Sequence, residues 1–186
     1  LFFAKSIFLF IKKKKIESVF FFSHSVGGIV PILLVKNFLK KKIKIKNFVN
    51  YEGNLCDHDT ELVTKRTASY KKSEFNKKYK KLIEKCEQSS IEYLNFWADS
   101  MKKTLPEAFF QLSKDSVAYS KGRDLLSFFR IFFDRKVYVY GANSNVCLPK
   151  FSFGSVRFKI KGCGHFSHFE NVYEFKKMFT FLLLKS

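Results

Sequence analysis

Short apolar runs closed by turn residues alternate with stretches of helical periodicity over both ends of this chain. Ser18–Phe22, Lys44–Tyr51 and Lys136–Tyr140 read as strands, and Val156–Ile160 alternates apolar and polar residues as a half-buried strand does. Leu1–Ile16 reads as a helix, because Phe3, Ile7, Phe10 and Ile11 recur at three-to-four spacing; Ile29 onward and Val172–Leu184 read as two more. Strands separated by helices predict an α/β architecture, a parallel sheet of about four strands joined by right-handed crossovers. From Leu55 to Arg135 the alternation stops and only helices are indicated. Ser73–Cys86 is strongly charged, and Ile91–Met101 gathers Leu94, Trp97 and Ala98 on one apolar side. Pro106–Leu112 and Asp124–Phe133 complete the set. The expected organisation is a core of residues 1–54 and 135–186, interrupted by a helical insertion at 55–134.

The joint between the first strand and its helix carries the sharpest chemical signal. Ser23-His24-Ser25-Val26-Gly27-Gly28 follows an apolar run and precedes Ile29-Val30-Pro31-Ile32. A strand that turns abruptly into a helix needs small residues on either side of the central one, whose side chain is then lifted above the sheet. Ser25 occupies that central place, as a nucleophile whose attack would set an oxyanion near the N–H of Val26. The plainer alternative is a glycine-containing turn with an incidental serine. A second signal favours chemistry: Lys161-Gly162-Cys163-Gly164-His165-Phe166 follows the last strand and precedes the last helix, so a histidine arrives on a loop at the end of a strand.

Together these segments resemble the α/β-hydrolase superfamily. "FFFSHSVGGIVPILLV" looks like its nucleophile strand, elbow and following helix; "IKGCGHFSHFENVYEF" looks like its histidine loop and last helix. "VYVYGANSN" is similar to the strand and loop before the last strand. The resemblance implies a partial α/β-hydrolase fold with the insertion as a helical cap, and a catalytic Ser25 and His165. The usual acid position is empty of carboxylates, since Gly141-Ala142-Asn143-Ser144-Asn145 holds none. Some members, certain haloalkane dehalogenases and lipases among them, carry the acid after the strand that follows the elbow helix. Here that strand ends in Glu52, with Asp57 and Asp59 as alternatives on the same loop. The implied function is serine hydrolysis of an ester or similar acyl substrate through Ser25, Glu52 and His165. Val26 would serve as oxyanion donor, and Trp97, Phe109 and Phe110 would line the substrate pocket or form cap core. No cofactor and no metal is implied. The other reading is a catalytically silent remnant of the fold or a binding protein, because the early strands of the fold are not seen and the chain starts at Leu1.

Composition changes this picture little. The net charge of +19 rests on lysine runs such as Lys12–Lys15 and Lys40–Lys42, spread over helix ends and polar faces, and 25 phenylalanines accompany them. Such a joint excess reads as a solvated basic surface rather than a specific nucleic-acid site. The partner expected is a small-molecule substrate; the sequence leaves the oligomeric state open. Leu1–Ile11 lacks the charge order of a signal peptide and is too short to span a bilayer. Cys56, Cys86, Cys147 and Cys163 show no paired spacing for zinc or redox chemistry, so reduced thiols and a cytoplasmic location are expected. Cys163 reads as a small buried filler, His24 as a packing residue, and His168 as exposed or capping.

Overall fold

The computed structural model describes residues 2–39, 43–61, 63–122, 124–146 and 156–184. It forms two compact units, Leu1–Asp59 with Ser120–Ser186, and Thr60–Tyr119. In the first unit, helix α1 (Phe2–Lys13) precedes β1 (Ser18–His24). A 3-10 turn at Ser25–Gly28 then leads into α2 (Ile29–Leu34), continued by a wider turn over Val35–Leu39. Strand β2 (Lys44–Tyr51), helix α7 (Asp124–Phe132) and strands β3 (Lys136–Gly141) and β4 (Val156–Ile160) follow, then the short α8 (Ser167–Glu170) and α9 (Val172–Leu184). Among the described residues the four strands are parallel in the order β1-β2-β3-β4, with β1 and β4 outermost. Cys147 and the rest of 147–155, between β3 and β4, lie outside the described residues.

Strand alternation sends successive side chains to opposite faces. Phe48 and Tyr138 pack on one face with Ile32, Leu34, Leu126 and Phe129. Val49, Tyr51, Val137 and Val139 pack on the other with Met178 and Leu182 of α9. Along β2 the parity changes once: Val19 pairs with Ile45 but Phe20 with Asn47, which leaves Lys46 as an extra residue in the ladder. That bulge is why Ile45 and Phe48, three apart, share a face.

The segment 120–134, expected within the helical insertion, packs in the first unit, where Leu125, Leu126 and Phe129 are buried beside α2. On α1 the buried stripe is Ala4, Phe8 and Ile11, whereas Phe3, Ile7 and Phe10 are exposed. The last helix buries Met178 and Leu182 but leaves Leu183 and Leu184 outside, so its apolar end is only partly core.

The second unit holds α3 (Thr64–Ala68), α4 (Lys72–Glu87), α5 (Glu92–Lys102) and α6 (Pro106–Ser120). Its core is Phe75, Tyr79, Cys86, Ala98, Met101 and Phe110, with Trp97 and Phe109 packed against it. Helix α6 runs on past Leu112, because buried serines at Ser113 and Ser116 continue its inner face without an apolar signal. Among the described residues no helix is long and apolar enough to cross a membrane.

Two glycines let the turn after β1 lie against the end of β2. A Cβ on Gly28 would stand 2.6 Å from Asn50 Oδ1 and 2.7 Å from the Gly53 Cα, while one on Gly27 would meet open space. Gly28→Ala should therefore cost roughly 1–3 kcal/mol through overpacking, with Gly27→Ala within about 0.5 kcal/mol of the parent. Urea unfolding of the two variants makes the comparison, and equal midpoints would contradict this account of the packing.

Candidate active site

The chemistry-bearing residues sit where strands end. Ser25 follows β1 directly and has φ +54°; Glu52 follows β2 directly and has φ +42°. Left-handed backbone at a residue with a Cβ is costly and persists only where the surroundings hold it. For Ser25 the hold includes its carbonyl, which accepts the Asn54 N–H at 3.1 Å. For Glu52 it is the ladder, since its own N–H donates to Val139 O at 2.9 Å. Ser23 Oγ adds a bond of 3.2 Å to Asn50 Oδ1, tying the end of β1 to β2.

His165 lies on the loop after β4, 113 residues from Glu52, and its Nδ1 is 2.7 Å from Glu52 Oε2. The other carboxylate oxygen, Oε1, accepts the Gly141 N–H at 2.7 Å. Glu52 is buried, its side chain 5% exposed, so its charge is answered by these N–H groups rather than by water. Gly141 must be glycine for the loop to come this close: a Cβ there would meet the carbonyl oxygens of Cys163 and Gly164. The other loop carboxylates are engaged elsewhere. Asp59 Oδ2 accepts the N–H groups of Leu55 and Cys56, and Asp57 Oδ2 accepts that of Gly122. Ser144, at the usual acid position, has a buried hydroxyl with no hydrogen-bond partner.

The main chain around His165 is held by His24 and by two residues that the sequence did not single out, Tyr51 and Glu170. Tyr51 Oη donates to His165 O at 2.7 Å, with Gly164 O at 3.1 Å sharing the proton, and accepts the Ser167 N–H at 2.7 Å. Burial raises the Tyr51 phenol well above its ordinary pKa, so it keeps the proton it donates. Glu170 accepts the Gly164 N–H at 2.8 Å and the Phe166 N–H at 2.9 Å. His24 Nε2 donates to His165 O at 2.9 Å, and its ring stacks on Tyr51 with centroids 4.6 Å apart. Burial, with the neighbouring His165 and His168, lowers the His24 pKa to about 3. His24 is thus neutral, as a packing and hydrogen-bonding residue.

His168, expected to be exposed or capping, is half-buried among the rings of His24, Phe166 and Phe175. Cys163 is buried, and burial pushes its thiol up, as befits a packing residue. Phe110 is buried against Phe75 in the helical unit, and Trp97 and Phe109 pack in that same core. Among the described residues no three His, Cys, Asp or Glu side chains are grouped to hold a metal ion.

The sequence matches no protein-family model. It also matches no curated protein. Solved structures do resemble it. A carboxylesterase of the thaumarchaeon Nitrososphaera gargenis aligns with TM-score 0.71 and 15% identity over 98% of this chain and 71% of that one. A bromoperoxidase from Bacillus anthracis gives 0.69 and 15% over 97% and 72%. An N-acyl homoserine lactonase gives 0.64 and 12% over 97% and 69%. At these identities the likeness is one of fold, and the fold is that of the α/β hydrolases.

The buried neutral His24 gives stability a pH dependence. Below pH 6.5 the unfolded residue takes up a proton that the folded site refuses until about pH 3, so stability falls as pH drops through that window. The slope reaches at most about 1.4 kcal/mol per pH unit. Between pH 7 and pH 4.5 the parent should lose about 2 kcal/mol more than His24→Gln, measured by urea unfolding. His168, lowered in the same sense, acts equally in both proteins. Parallel pH profiles would show that His24 titrates normally in the fold.

Proposed function

We propose that this chain is a serine hydrolase that cleaves an ester or similar acyl substrate through a Ser25, His165 and Glu52 triad. The observation that carries the reading is the 2.7 Å contact of His165 Nδ1 with the buried Glu52 carboxylate, on the same sheet edge as a left-handed Ser25. Glu52 holds the proton on Nδ1 and leaves Nε2 unprotonated, the tautomer that a general base requires.

In the acylation step Ser25 Oγ bonds to the acyl carbon as His165 Nε2 takes its proton. The carbonyl electron pair moves onto oxygen, close to the N–H of Val26 at the start of the 3-10 turn, where helical backbone donors have no earlier partner. Collapse of that intermediate expels the alcohol, which receives the proton from Nε2. Water then repeats the sequence and frees the acid, restoring Ser25. Glu52 stabilises the imidazolium at each turn without taking the proton itself. No cofactor enters these steps. The shared fold with a carboxylesterase and an N-acyl homoserine lactonase supports a small-molecule acyl substrate.

A fluorophosphonate probe should label the folded protein on Ser25 alone. Ser25→Ala and His165→Ala should abolish labelling and ester turnover while the fold persists. Glu52→Gln should lower turnover roughly 10³–10⁴-fold by favouring the wrong tautomer, and Ser144→Ala should leave it unchanged. Peptide mapping and kinetics with short p-nitrophenyl esters read both. Labelling of another serine, or sensitivity at Ser144 in place of Glu52, would refute the assignment.

A further inference from the structure

Two consecutive residues at the end of β2 address the same histidine from different sides. Glu52 meets the ring at Nδ1; Tyr51, pointing to the α9 face, meets the main chain at His165 O and Ser167 N. The second lone pair of His165 O is taken by His24 Nε2–H, so this carbonyl is saturated from within the site. Glu170 closes the loop from its far end: its two carboxylate oxygens receive the N–H groups of Gly164 and Phe166, the residues on either side of the histidine. The backbone from 164 to 167 is therefore pinned by three side chains at five of its polar groups.

Resting on the hydrolase reading above, we propose that Tyr51 and Glu170 are positioning residues: they fix the main chain of 164–167 so that the His165 ring meets Glu52 with Nε2 turned to Ser25. Neither touches substrate. Each acts through the histidine. Because χ rotation of His165 starts from a pinned Cα, the 2.7 Å contact with Glu52 is preorganised and needs no loop rearrangement during turnover. Losing the Tyr51 hydroxyl leaves Ser167 N without that acceptor and frees the loop to shift; losing one Glu170 oxygen as acceptor loosens the flanks.

The test separates positioning from mere stability. Tyr79 supplies a matched control, since its buried hydroxyl also donates to a main-chain carbonyl, Met101 O at 2.7 Å, in the helical unit. Tyr51→Phe and Tyr79→Phe should lower the urea midpoint comparably. Only Tyr51→Phe should broaden or shift the downfield proton resonance of His165 Nδ1–H and slow fluorophosphonate labelling, roughly 10–100-fold, with KM for a p-nitrophenyl ester little changed. Should Tyr51→Phe fold poorly, Glu170→Gln on the half-buried side of the loop carries the same readouts. A Tyr51→Phe or Glu170→Gln protein with the parent's resonance and labelling rate would overturn the proposal, as would a parent lacking the resonance. A parent that shows the resonance but resists the probe would defeat the hydrolase reading alone, and perturbation of that resonance by Tyr51→Phe would still sustain the positioning role.

Discussion

Everything at this sheet edge depends on one buried carboxylate shared between a backbone and a ring. Glu52 receives the Gly141 N–H on one oxygen and faces His165 on the other, so it joins the ends of β2 and β3 to a loop more than a hundred residues away. A charge in this setting is tolerated only while its partners are in place. The dependence runs both ways. Without the carboxylate the Gly141 N–H and the imidazole lose their anchor, and without the loop the buried carboxylate loses its contact with the ring.

Glycine sets how closely the parts approach. Gly28 and Gly53 face each other across the Asn50 side chain, which brings the turn after β1 down onto the end of β2. Gly141 does the same for the histidine loop against β3. These contacts of bare backbone place Ser25, Glu52 and His165 on one edge, at the carboxyl ends of parallel strands where α/β sheets gather their ligands. The strained φ values at Ser25 and Glu52 are the counterpart: the chain must turn sharply just where it presents a side chain.

The strands were legible as apolar runs or apolar–polar alternation closed by turn residues, and their bounds in the structure differ from the sequence reading by only a residue or two at β1 and β3. The place of Glu52 beside His165 was legible only through the resemblance, some of whose members carry a carboxylate after this strand, because the loop around Ser144 holds none. The grip of Tyr51 and Glu170 on the histidine loop was not. Tyr51 reads as the inward residue of a strand and Glu170 as a helix-end carboxylate, and nothing local says that a tyrosine hydroxyl will find a carbonyl 114 residues away. His168 was misjudged for a related reason. Position three past His165 suggests an exposed first turn, but the helix lies with that face against His24 and Phe175. On α1 apolar residues lie on more than one side, so the spacing of Phe3, Ile7 and Phe10 marked an exposed face, and packing chose Ala4, Phe8 and Ile11.

The extra residue at Lys46 divides β2 into two stretches with different tolerance to changes in chain length. Ahead of it only Ile45 packs on the core and Lys44 is exposed, and the bulge can absorb a residue gained or lost because the ladder is already out of step there. Beyond it no slack remains. Loss of one residue between Asn47 and Asn50 would turn the following side chains to opposite faces, carrying Tyr51 from the α9 side toward α2 and withdrawing the carboxylate from the histidine. A change of chain length is therefore absorbed ahead of Lys46 and not after it.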